Sequence, residues 1–125
     1  MGVVLDSGGL IAFERGDREV AALVEAARRR RERIVTSSGC VAQAWRSRGS
    51  QALLARLLRG VEERGLDGVV SRAVGALCGD SASNDVIDAH VALLAGDRDV
   101  VVTSDPHDLQ RLLRAADSAA TVRRC

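Results

Sequence analysis

Apolar residues in this chain fall into two alternating patterns, short unbroken runs and longer stretches at helical spacing. The runs are Val3-Val4-Leu5, Ile34-Val35-Thr36 and Val100-Val101-Val102-Thr103, short and rich in β-branched residues, which predicts buried strands. Between them the period changes. Ser7 to Phe13 reads as a short helix, and Asp17 to about Arg31 carries Val20, Leu23, Val24 and Ala27 on one face. Ser37-Ser38-Gly39 starts a helix through Val41, Ala42 and Trp45, and Gln51 to about Arg59 presents Leu53, Leu54, Leu57 and Leu58 as a core stripe. A short strand is expected over Leu66 to Val69, then a helix over Ser71 to Leu77. Ser83-Asn84-Asp85 supplies capping residues for a helix that ends at Gly96. Pro106 opens a last helix to about Ala116, with a weak strand near Val122. Strands that alternate with helices imply an α/β fold with a mostly parallel sheet between helices.

A chain of 125 residues supports one domain around one core. Aromatics are 2% of the residues against 46% apolar, so that core is Val, Leu and Ala. One Trp, one Phe and no Tyr leave no set of platforms for stacking bases. All 18 basic residues are Arg, which excludes Schiff-base chemistry, a phosphate-loop lysine and a lysine-dependent receiver domain. The net charge of +1 exerts no global pull on nucleic acid, so such binding would need local patches. Cys40, Cys78 and Cys125 are widely spaced and odd in number. They read as small buried hydrophobes or a stray terminal thiol in a reducing compartment, not a disulfide framework or thiolate zinc site. No stretch is apolar enough to span a membrane and no leader peptide is visible, so a cytoplasmic protein is expected.

The chemistry lies in four aspartates. Asp6 closes the first run, Asp105 closes the run that ends Thr103-Ser104, and Asp85 and Asp88 open a helix one turn apart. Neighbouring parallel strands would bring Asp6 and Asp105 to the carboxyl edge of the sheet, where open α/β sheets build their sites. Each aspartate has an alternative role: Asp6, Asp85 and Asp105 as helix caps, Asp88 in a structural pair with an arginine. Their conjunction favours a cation, because crowded carboxylates repel unless one lies among them. Magnesium or manganese is expected, with Asp6, Asp88, Asp105 and Asp85 as ligands and Ser7, Thr103 and Ser104 offering supporting hydroxyls. His90 and His107 lack zinc-site spacing and are expected at a surface or interface. The run Arg28 to Arg31 with Arg33 is accounted for by its place at a helix C-terminus.

Three segments, Val4-Leu5-Asp6-Ser7-Gly8, Asp88-Ala89-His90-Val91-Ala92 and Val102-Thr103-Ser104-Asp105-Pro106-His107-Asp108-Leu109, resemble a PIN domain of the VapC toxin type from bacterial VapBC pairs. The resemblance covers essentially the whole chain. It implies that residues 1–125 form one three-layer α/β/α PIN-like domain. It further implies a metal-dependent endoribonuclease with Asp6, Asp88 and Asp105 catalytic, a homodimer, and a cognate antitoxin as partner. Gln43, in Val41-Ala42-Gln43-Ala44-Trp45-Arg46, stands where the family has glutamate. That exchange keeps the length and one oxygen but loses the charge, so a weak or inactive binding module is the second expectation. Arg46 and Arg48 are candidates for RNA phosphate, since a guanidinium pairs bidentately with its oxygens. A phosphoacceptor or phosphatase domain built on Asp6 ranks third, because no Asp-x-Asp follows the first strand.

Overall fold

The computed structural model describes residues 1–125. Its strands are β1 (Val3–Leu5), β2 (Ile34–Ser37), β3 (Glu62–Arg64), β4 (Val100–Thr103) and β5 (Thr121–Arg124). They form one parallel sheet in the order β3-β2-β1-β4-β5. The helices are α1 (Ser7–Glu14), α2 (Arg18–Arg29), α3 (Ser38–Ala44), α4 (Ala52–Arg59), α5 (Gly68–Ser81), α6 (Val86–Leu94) and α7 (Pro106–Ala115). Together they make the α/β fold with a parallel sheet that the pattern implied, in the three-layer α/β/α, PIN-like arrangement that the resemblance implied.

The three central strands are buried at every position. Covered on both faces, a parallel strand carries no polar alternation, and this is why they stand out as unbroken apolar runs. From β1 the chain builds β2 and β3 on one side, then crosses to β4 and β5 on the other. The order therefore reverses between β1 and β4, whose registers pair Leu5 with Val102. Such a reversal opens a crevice at the carboxyl ends of the strands, and Asp6 and Asp105 follow those two ends.

The third strand is not where the hydrophobic pattern put it. Glu62–Arg64 pairs with β2, whereas Leu66 and Val69 are 45% and 79% exposed. β3 is a charged edge strand, exposed at all three positions and bonded on one side, so it has no apolar signature. Val69 belongs to α5, which starts early because Asp67 Oδ1 accepts the Val69 and Val70 amides at 3.0 and 2.8 Å. Two smaller corrections concern apolar residues. Leu53 is exposed while Leu54 and Leu57 are fully buried, and Trp45 ends α3 at the surface.

At the opposite edge of the sheet, Asp99 ties β1 to β4. Its carboxylate accepts the Gly2 and Gly96 amides, both at 2.8 Å, and meets Arg33 Nη2 at 3.2 Å. Burial pushes the Asp99 carboxyl up, but these donors and the Arg33 charge outweigh it and hold it below the usual carboxylate range. Asp99→Asn is expected to lower stability at pH 7 by about 1.5–3 kcal/mol, the scale of a hydrogen bond to a charged group. The charged form is favoured in the folded state, so this contribution is present above the ordinary carboxylate pKa and fades as pH falls through the lowered one. Thermal denaturation should show the gap between the two proteins at neutral pH and its closure in acid. A gap that stayed constant into strong acid would contradict the assignment.

Candidate functional site

Asp6 is buried, 4% exposed, between the end of β1 and the start of α1. Its Oδ1 accepts the Gly9 amide at 2.9 Å, which caps α1. The nearby Thr103 hydroxyl draws the Asp6 carboxyl down, and its oxygen accepts the Asp105 amide at 2.9 Å. One hydroxyl thus lies between the two acidic positions. Asp105 occupies the N-cap position of α7, but its carboxylate makes no capping bond. Capping accounts for Asp6 in part and for Asp105 not at all.

Asp85 caps α6 through a single oxygen, Oδ1, which accepts the Ile87 and Asp88 amides at 3.1 and 2.9 Å. Asp88 lies in the first turn, half-buried. The ion pairs of the chain are Arg29–Glu25, Arg33–Glu62, Arg33–Asp99, Arg64–Glu62 and Arg111–Asp108. None reaches Asp6, Asp85, Asp88 or Asp105, so the arginine partner that would make Asp88 structural is absent.

The electrostatics record the crowding. Burial, then the charges of Asp85, Asp6, Asp105 and Asp108, push the Asp88 carboxyl up to about 7. Burial likewise raises Asp6, against the pull of the Thr103 hydroxyl and the Gly9 and Gly8 amides. Asp108 is a further member of this cluster, beyond the four that the sequence pattern marks. Its signal was its place one turn after Asp105, on the same face of the same helix start. No three carboxylates, imidazoles or thiols close on a common point. A hydrated magnesium ion does not require that, since it binds through one or two carboxylates and keeps several waters. Chemically, such a cluster either retains a proton, as Asp88 does near neutrality, or takes up a cation.

No protein-family model and no curated protein matches the chain. Among solved structures it is similar to a chain in the crystal structure of VapBC2 from Rickettsia felis bound to a DNA fragment from their promoter. The likeness has a TM-score of 0.69, covers 100% of this chain and 99% of that one, and carries 14% sequence identity. The chain has a VapC-like fold.

The remaining predicted residues divide into those at the acidic edge and those beside it. Ser104, exposed after β4, packs so closely on Gly8 that a Cβ there would come within 2.5 Å of its hydroxyl. Ser7 opens α1 beside Asp6, partly buried. Cys40 lies beneath the cluster, fully buried, and burial together with Asp6 pushes its thiol up to about 12, so it is a neutral hydrophobe as expected. Gln43 is exposed one turn beyond Cys40 and lines a cavity of about 370 Å³ with Arg46 and Arg48. His90 corrects its expectation. It is 1% exposed in the core, its Nδ1 2.7 Å from Ser37 Oγ, and burial lowers its pKa. His107 is at the surface. No helix is long and apolar enough to cross a membrane.

Proposed function

We propose that this protein is a magnesium- or manganese-dependent endoribonuclease, the toxin of a type II toxin–antitoxin pair. It hydrolyses RNA phosphodiester bonds, acts in the cytoplasm as a homodimer, and is restrained by a cognate antitoxin. One observation carries this reading: Asp88 faces Asp85, Asp6, Asp105 and Asp108 at the carboxyl edge of the sheet with no basic side chain paired to it. The VapC-like fold, shared with a chain of a VapBC2 complex, supports the antitoxin partner.

Asp6 and Asp88 would hold the ion directly, and Asp105, whose carboxylate is free of capping bonds, would hold an ion or its water. A bound divalent ion supplies an activated water and offsets charge on the phosphate. The residues of the chain do the rest. Thr103 fixes the Asp105 turn by accepting its amide and favours the ionised form of Asp6 beside it. The Asp85 cap fixes where α6 begins, and hence where Asp88 stands. Asp88 must be ionised to serve as a ligand, so activity should rise as pH climbs through about 7.

The test is cleavage of a mixed structured RNA by purified protein with Mn²⁺ and with chelator. Cleavage with Mn²⁺ alone is the expected result. Inactivity of folded protein in Mn²⁺ would overturn the nuclease reading in favour of a second one, a PIN-fold binding module. That alternative draws its support from Gln43, a neutral side chain one turn beyond Cys40 where the resembling family has glutamate. Gln43→Glu separates the two. It is expected to tighten Mn²⁺ binding and raise cleavage about tenfold or more, on the scale of supporting groups around a metal. A variant with unchanged Mn²⁺ affinity and no cleavage would count for the module.

A further inference from the structure

The face of α1 that begins at the acidic edge continues past it. Gly8, Ile11, Ala12 and Arg15 recur at helical spacing, so Arg15 lies about 10 Å beyond Gly8 along the axis. Two cavities open on this stripe. One, of about 540 Å³, is lined by Gly8, Ala12, Asp17, Ser104 and Cys125; the other, of about 370 Å³, is lined by Gln43, Arg46, Arg48 and Ser50. Ile11 and Arg15 line both, so the two adjoin at this stripe as a two-part trough, and the first part reaches the β4 end at Ser104.

The charges of this trough are unequal in what they are free to do. Glu14 accepts the Gln51 amide at 3.0 Å, and Asp17 accepts the Val20 amide at 3.0 Å as the cap of α2. Arg46 turns back on its own helix, its Nη1 donating to the Ala42 and Trp45 carbonyls at 3.3 and 3.0 Å. Arg15 and Arg48 enter no ion pair. Both are exposed, and a Cβ at the neighbouring Gly16 would meet nothing within 4 Å, so the rim beside Arg15 is open.

We infer that Arg15 is a positioning residue for the substrate: it holds a backbone phosphate of single-stranded RNA two helical turns from the acidic cluster. Arg48 continues the track on the far wall, and Arg46 does not take part. The inference rests on the nuclease reading and adds the path of the strand. A guanidinium without a protein partner matches phosphate oxygens bidentately. The contact carries no sequence information, which suits a trough without aromatic side chains in its walls.

The test is fluorescence polarisation with a short fluorescein-labelled single-stranded RNA of mixed sequence, across a range of salt. Asp88→Asn serves as the parent so that the probe is not cut. Adding Arg15→Gln should weaken binding about tenfold at low salt, the size of one charge-assisted contact. The slope of log K against log salt should become shallower by about 0.7, the value for one single-strand phosphate. Arg15→Lys should restore most of the slope, and Arg46→Gln should leave it unchanged. In the active enzyme, Arg15→Gln should raise KM with kcat retained, the mark of uniform binding. If the parent binds RNA but Arg15→Gln keeps its affinity and slope, the assignment of Arg15 is overturned and the nuclease reading stands. If the parent binds no RNA at all, the nuclease reading falls and this inference with it. Equal melting temperatures of parent and variant exclude misfolding as the cause of a lost contact.

Discussion

Asp88→Asn will raise the melting temperature of the metal-free protein at pH 8, while it abolishes both the added stability that Mn²⁺ gives the unsubstituted protein and the cleavage of RNA. The first effect follows from the crowding. In the folded chain the Asp88 carboxyl is raised to about 7 from an ordinary 3.8, first by burial and then by Asp85, Asp6, Asp105 and Asp108. A raised carboxyl pKa means that folding disfavours the charged form. Asp88 therefore leaves stability intact below the ordinary carboxylate pKa and erodes it as pH rises through about 7. Asparagine removes this erosion, so the metal-free variant should have a flatter stability profile between pH 5 and 8. With metal the sign reverses. An ion that binds only the folded state stabilises it by mass action, and it needs the ionised carboxylate. The unsubstituted protein should thus gain more from Mn²⁺ at pH 8 than at pH 6, where binding must displace the Asp88 proton. Loss of a direct ligand should cut cleavage by about a hundredfold or more, at least as much as loss of a supporting group around a metal. Thermal denaturation with and without Mn²⁺ at the two pH values reads all of this. A variant that melts lower than its parent without metal, or gains equally from Mn²⁺, would show that Asp88 is not under strain from its neighbours.

The parts of the molecule legible in the sequence are those where one local pattern has one structural cause. β1, β2 and β4 are buried on both faces, so each is an unbroken apolar run. Asp6 and Asp105 were found because they terminate two of those runs, and register places the runs side by side. β3 was misplaced because its pairing is purely backbone: three charged side chains point to solvent, and only Val35, Thr36 and Ser37 opposite define it. His90 was misjudged for a different reason. Its partner Ser37 is 53 residues away, on a strand that α6 packs against only in the folded chain. Arg15 is one of 18 arginines, with nothing local to mark it. Only Arg29, Arg33, Arg64 and Arg111 form ion pairs, so what marks Arg15 is the two cavities that share it, a property of the assembled surface.

Gly8→Ala should be the most disruptive single-methyl change near the site. The added Cβ would lie 2.5 Å from Ser104 Oγ, 2.8 Å from the Ser104 backbone nitrogen and 2.9 Å from its Cβ. A hydroxyl can rotate away, but a backbone nitrogen cannot, so the β1–α1 and β4–α7 turns must part. Overpacking of this kind costs about 1–3 kcal/mol, which at this chain length is a fall in Tm of roughly 4–12 °C. The same movement separates Asp6, at the start of α1, from the Asp105 turn that follows Ser104, so RNA cleavage should fall further than stability alone dictates. Ser104→Gly removes two of the three close contacts and leaves the third. The double variant should therefore recover part of the lost Tm but not all, a coupling that a double-mutant cycle measures directly. Gly75→Ala supplies the contrast. Gly75 lies within α5 with nothing within 4 Å of a Cβ, so alanine there should add about 0.5–1 kcal/mol and leave cleavage unchanged. If Gly8→Ala behaved like Gly75→Ala, the two turns would not be in contact, and the acidic edge would lose the packing that holds Asp6 and Asp105 together.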